Sequence, residues 1–148
     1  MSHSIEIIWD LGDQVLSPGK YLTDHKVILN ENLTIDGGSS PDYGGSVNNI
    51  NPEQKLAAAV SSCFMMTFLA LAAKMKWPVK NYKDKAISYL GKNNEGRMYV
   101  NKIELNPQII FDNDFTISDD EMHKMKERSH KYCFIANSLS KDVEIKIN

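Results

Sequence analysis

Residues 56–73 run for 18 positions without a charge. A helix apolar on all sides cannot lie on a wet surface, so it belongs either in a core or in a bilayer. The run just reaches the ~18 residues of a membrane-span candidate. Ser61, Ser62, Cys63 and Thr67 dilute it, and the rest of the chain alternates as soluble sheet and helix. The expectation is therefore a long buried central helix, part of its surface covered by a partner subunit, with no membrane span. Its beginning is well signalled: Asn51 suits the cap, Pro52 the first helical position, and Glu53 the positive end of the helix dipole. Trp77 and Pro78 stop it near Lys76.

The flanking pattern sets the fold class. Residues 5–9 alternate as a strand, residues 25–30 form a second strand rich in Val, Ile and Leu, and residues 33–36 allow a short third. Residues 37–51 are rich in Gly, Ser and Asn, a loop long enough to be functional or mobile. Beyond the central helix, residues 82–90 and 97–111 read as two strands joined through a loose tip at 91–96. Ser118, acids at 119–121 and Glu121 at the capping-box position open a second helix, with basic residues toward its end. Residues 133–139 form a short apolar turn or helix, and residues 143–147 alternate as a last strand. The order βββ–α–ββ–α–β describes an α+β domain with a mostly antiparallel sheet. At 148 residues the chain reads as one domain, 1–148, able to bury a core without staples.

Charge narrows the function classes. Seventeen basic against nineteen acidic residues give a net charge of −2, without the basic stripe that nucleic acid requires. The polar start Met1-Ser2-His3 lacks the pattern of an export signal. Two cysteines in such a chain are expected to be reduced thiols in a cytoplasm.

Those two cysteines, seventy positions apart, lie in the most apolar segments. A thiol reacts as thiolate, so it needs a cation, a helix N-terminus or a donor network nearby. Cys63 is about ten residues into its helix, beyond the turn where the dipole acts. Cys133 has Arg128, His130 and Lys131 within five residues. Either cysteine could equally be a small core residue.

The combined pattern is more specific. The Asn51-Pro52-Glu53-Gln54 helix start, Ser62-Cys63-Phe64 ten residues on, and Cys133-Phe134-Ile135-Ala136-Asn137-Ser138 after the second helix closely resemble the OsmC/Ohr family over nearly the whole chain. The resemblance implies an OsmC-like fold, an interlocked homodimer, and thiol-dependent reduction of organic hydroperoxides without metal or organic cofactor. Cys63 matches the peroxidatic cysteine, which passes through a sulfenic acid. Cys133 matches the resolving cysteine, and a dithiol, in some relatives a lipoyl group, reopens the resulting disulfide. Glu53 corresponds to the family's active-site carboxylate. Phe64, Met65, Met66 and Phe68 offer an apolar wall for the substrate, although each also reads as ordinary core. Ten helical positions put Glu53 ~15 Å from Cys63 along a straight helix. Shared use of one site then requires a helix break or two chains.

One departure stands out. Peroxidase members carry an arginine in the N-terminal strand region, and Thr23 occupies its position; no arginine precedes Arg97. An unassisted thiol is only a few per cent ionised at neutral pH. Lys20, His25, Lys26, Arg128 and His130 are the candidate substitutes. A weakly active or non-catalytic dimer binding a small apolar molecule is the alternative that this absence supports. A metal site from Cys63, Cys133, His130 and His25 lacks the close spacing of dedicated zinc ligands.

Overall fold

Asn51 begins the central helix with a reciprocal pair of bonds. Its Oδ1 accepts the Gln54 N–H at 2.8 Å, and its own N–H donates to Gln54 Oε1 at 3.0 Å. From that cap, α1 runs unbroken from Pro52 to Lys74. It ends where Lys76 turns left-handed (φ 57°) and the Trp77 N–H reaches back to the Ala72 carbonyl at 2.9 Å. The computed structural model describes residues 1–112 and 114–148. These fall into two compact units, Met1–Lys55 and Leu56–Asn148, and the boundary lies about one turn into α1.

In the N-terminal unit, β1 (Glu6–Ile8), β2 (His25–Asn30) and β3 (Leu33–Gly37) make an antiparallel sheet with β2 in the middle. Val27 pairs with Ile7 on one side and Ile35 on the other. The β2–β3 connection is tightened by Asn32 N–H donating to Asn30 Oδ1 at 2.9 Å. Among the described apolar residues of this unit only Val27 is buried, whereas Ile5, Ile7, Ile8, Trp9, Val15, Leu16 and Leu22 are exposed. The loop of residues 37–51 is strapped rather than loose. It carries a 3-10 turn at Pro41–Tyr43, and Gly38 N–H donates to Ile50 O while Ile50 N–H donates to Asp36 O.

In the C-terminal unit, α1 buries Ala57, Val60, Cys63, Phe64, Phe68 and Ala72 along one stripe. Ala58, Ser62, Met66, Ala70 and Ala73 remain exposed on another. Burial within one chain is thus one-sided, although both stripes are uncharged. The helix meets the length and composition of a membrane span, with 39% of its apolar window buried.

The strands that follow correct the reading of two long ones. Residues 82–90 and 97–111 each divide, giving β4 (Val79–Lys83), β5 (Ile87–Lys92), β6 (Met98–Leu105) and β7 (Gln108–Phe111). Pro107 has no N–H to continue a ladder. Asp84, one residue past β4, accepts the Asn106 N–H at 2.7 Å and the Ser61 hydroxyl, and Asn106 Nδ2 donates to Lys85 O at 3.0 Å. This polar corner sends the two halves into different pairings. β4 pairs with β7, and β5 pairs with β6, both antiparallel; the last strand β8 (Glu144–Ile147) joins β6 in parallel. Gly91 in β5 is required by closeness, since a Cβ there would come within 2.4 Å of Asn101 Nδ2. Ser118 and Glu121 complete the predicted capping box of α2 (Asp119–Lys131), and α3 (Phe134–Ser138) follows at once.

Candidate active site

Cys63 sits midway along α1 and Cys133 occupies the cap position of α3. Packing brings them together. Both belong to one core cluster with Ala57, Val60, Phe64, Ile103 and Leu105, and their side chains interact directly. Neither is in a disulfide. Cys133 is sealed, 0% exposed, with its sulfur 4.0 Å from the Val60 carbonyl. Cys63 is 9% exposed and lies beside the exposed Ser62 and Met66. A molecule approaching from outside the chain therefore meets Cys63 first.

Electrostatics separates the two thiols further. Burial pushes the Cys133 thiol up to about 11, and the adjoining Cys63 side chain adds to the rise. The N–H groups of Ala136 and Ile135 pull the other way from the first turn of α3, short of hydrogen-bond geometry, and burial prevails. No cation acts on Cys133 among the described residues. Arg128 and His130, adjacent in sequence, do not perform that service. Arg128 instead lines a groove with Met75, Trp77 and Met125.

The apolar residues around Cys63 divide by exposure. Phe64 (1%) belongs to the cysteine cluster, whereas Phe68 (0%) belongs to a second cluster with Ala72 and Met125 and tilts against Tyr82 at 6.1 Å. Met66 is 59% exposed. Of these three, Met66 alone can be touched from outside the chain.

Glu53 and Cys63 lie on the same unbroken helix. Ten residues at 1.5 Å each keep them ~15 Å apart along its axis. Within one chain the carboxylate therefore cannot serve the thiol. Its Oε2 is nonetheless buried without a hydrogen-bond partner among the described residues. A buried carboxylate oxygen left in that state costs free energy.

The region of the absent arginine holds a different arrangement. The Thr23 hydroxyl accepts the Ser39 N–H at 3.0 Å, which ties the loop to the sheet. His25 Nδ1 meets the Thr23 carbonyl at 2.8 Å, and its Nε2 lies 3.3 Å from Lys55 Nζ. A carbonyl only accepts, so Nδ1 carries the proton and Nε2 takes a bond from the ammonium. Gly37 makes room for this pair; a Cβ there would lie 2.4 Å from His25 Nε2 and 2.8 Å from Lys55 Nζ. Lys26 is committed to Asp36 at the surface, and Lys20 is exposed. Lys55 escapes notice in the sequence because its partner is thirty residues away. Among the described residues no group of three His, Cys, Asp or Glu could hold a metal ion.

Comparison with known proteins places this geometry. Residues 44–148 match the family model described as OsmC-like protein. The chain belongs to the OsmC-like family. A solved OsmC-like protein of unknown function from Vibrio cholerae is 32% identical, covering 100% of this chain and 99% of that one with a TM-score of 0.89. An organic hydroperoxide resistance protein from Elizabethkingia anophelis shares the fold at 20% identity and TM-score 0.72, over 99% of this chain and 95% of that one. The organic hydroperoxide resistance protein OhrB of Bacillus subtilis does so at 14% and 0.70, over 100% and 97%. No match is found among the curated proteins.

Proposed function

We propose that this OsmC-like chain is a thiol peroxidase that reduces organic hydroperoxides. The observation carrying the proposal is the contact between Cys63, at the edge of the core, and Cys133, sealed behind it. The Cys63 thiolate attacks the distal peroxide oxygen, the O–O bond breaks, and the departing alkoxide takes a proton to leave as alcohol. Cys63 is then a sulfenic acid. The Cys133 sulfur displaces hydroxide from it, and water leaves as the Cys63–Cys133 disulfide forms. A small dithiol of lipoyl type restores both thiols by exchange and is itself oxidised to a disulfide. No metal or organic cofactor takes part, and such recycling suits the reducing cytoplasm.

The working unit in this reading is a homodimer, each copy contributing one OsmC-like domain, 1–148. The exposed uncharged stripe of α1 through Ala58, Ser62, Met66 and Ala70 supports this, as do the exposed Ile5, Ile7, Ile8 and Trp9. Partner coverage turns α1 into a central helix buried on both faces. It also lets Glu53 of the partner subunit approach Cys63, which the chain's own Glu53 cannot do. Met66 lines the entrance, while Phe64 and Phe68 form the apolar wall behind it, suiting an alkyl or aromatic hydroperoxide. The partner's Lys55, steadied by His25, supplies the cation that the arginine supplies elsewhere, since eight helical positions hold the chain's own Lys55 ~12 Å from Cys63 along α1. Lysine gives charge without the planar fork. Activity is therefore expected to be lower than that of arginine-bearing relatives. The contact between the thiols weighs against a dimer that only binds an apolar molecule.

Treatment with a slight excess of cumene hydroperoxide tests this reading. The wild type is expected to lose both titratable thiols per chain within the mixing time of a manual assay, and Cys63→Ser to retain its remaining thiol. Lys55→Met should slow the loss at least tenfold. Slow, equal loss in wild type and Cys63→Ser contradicts the proposal.

A further inference from the structure

A groove at the C-terminal end of α1, independent of the thiol chemistry, carries a second inference. We propose that it binds a small apolar carboxylate. Its volume is about 210 Å³ and its lining is Met75, Trp77, Glu121, Lys124, Met125 and Arg128. That is below the ~300–1,000 Å³ of sites for drug-sized ligands, so the ligand is small.

The floor is rigid. Met125 is 3% exposed and packs on Phe68 and Ala72. Trp77 is fixed from behind by Phe111, edge-on at 6.1 Å, and by Phe115 at 6.2 Å. The rim decides the charge of the ligand. Glu121 is occupied by its cap, accepting from the Ser118 N–H at 3.0 Å and the Ser118 hydroxyl at 2.8 Å. Lys124 is paired with Asp120 at 2.6 Å. Among the described residues, the Arg128 guanidinium and the Trp77 indole N–H have no acceptor. Both groups only donate, and a guanidinium fits a carboxylate with two parallel bonds. An uncharged apolar ligand leaves these donors unused, and a bare anion leaves the methionine and indole surface unused. The combination selects an alkyl or aryl carboxylate.

Calorimetric and fluorescence titration of the intact chain with octanoate, 1-octanol and inorganic phosphate tests the proposal. Octanoate is expected to bind saturably, one per chain, with a change in tryptophan emission that Trp77→Phe removes. Arg128→Gln should weaken it about tenfold or more, the scale of a lost charge-assisted bond, and Lys124→Gln less than threefold. Arg128 is exposed, so its replacement leaves the core intact; Arg128→Lys, keeping charge without the fork, should bind between wild type and Arg128→Gln. Octanol or phosphate binding as tightly as octanoate overturns the proposal, as does unchanged affinity in Arg128→Gln. A groove covered by a second copy also overturns it, and sedimentation would reveal this as altered self-association of Arg128→Gln without octanoate binding.

Discussion

The two units of this chain bury their apolar side chains to very different extents. In Leu56–Asn148, α1 and its neighbours seal Val60, Phe64, Phe68, Ile103, Leu105 and Cys133 at 1% exposure or less. In Met1–Lys55 only Val27 is buried among the described apolar residues, and β1 is exposed along its whole length. Ordering a residue's backbone costs roughly 1–2 kcal/mol, and burying one aliphatic side chain returns about 1.5–3 kcal/mol. A three-stranded sheet with one buried valine does not offset that cost alone. The difference teaches that Leu56–Asn148 carries most of the sealed core, while Met1–Lys55 keeps most of its apolar side chains at the surface. In the proposed homodimer, a second copy of the chain covers both β1 and the bare stripe of α1.

The largest effect that sharpens this contrast lies in the second unit. Phe68→Ala is expected to cost about 3–5 kcal/mol in chemical denaturation, as for deletion of a fully buried ring. The matching change in the first unit, Ile7→Ala at a side chain 53% exposed, should cost within about 0.5 kcal/mol in a lone chain. A loss above 1 kcal/mol at high protein concentration, shrinking toward the lone-chain value as the protein is diluted, reports that a partner covers β1. A concentration-independent loss of that size breaks the comparison.

The next effect is pH-dependent. Folding raises the Cys133 thiol from its ordinary value of 9.0 to about 11 by burial, so the folded chain keeps a proton that the unfolded chain releases. The associated stability is complete below pH 9 and drains away as pH rises from 9 to 11, on the order of 2–3 kcal/mol. Tyr82, also raised by burial and by Asp84, acts in the same direction. The difference between wild type and Cys133→Ala isolates the thiol, and the gap between melting curves at pH 8 and 11 should narrow for that variant to the part owed to Tyr82. Smallest are the caps. Asn51→Ala and Ser118→Ala should each cost about 1 kcal/mol, with Glu121 protonation below its lowered range weakening the second cap as pH falls.

Features governed by neighbours in sequence were legible before any coordinates. The Asn51 and Ser118 caps, β2 over His25–Asn30 and a helix stop before Trp77, expected near Lys76 and found after Lys74, all follow from local hydrogen bonding and backbone freedom. What escaped depends on distant partners. The division of the strands at Asp84 and Asn106 rests on a carboxylate reaching across to Ser61. The parallel joining of β8 to β6 depends on a crossover that periodicity does not encode. At the site, two cysteines of equal apparent burial proved unequal, one at the rim and one sealed. Arg128 looked like an activator of Cys133 because it is close in sequence, yet a helix turns such residues to different faces. Lys55 attracted no attention, although its pairing with His25 beside Gly37 gives the most specific cationic feature of the first unit.

Peptide mapping after one equivalent of organic hydroperoxide addresses the central claim directly. Digestion without reductant should yield a single peptide pair joining the segment around Cys63 to that around Cys133 within the same chain, reopened by a lipoyl-type dithiol. Recovery of unlinked peptides carrying intact thiols, or of links only between copies of the same cysteine, contradicts it.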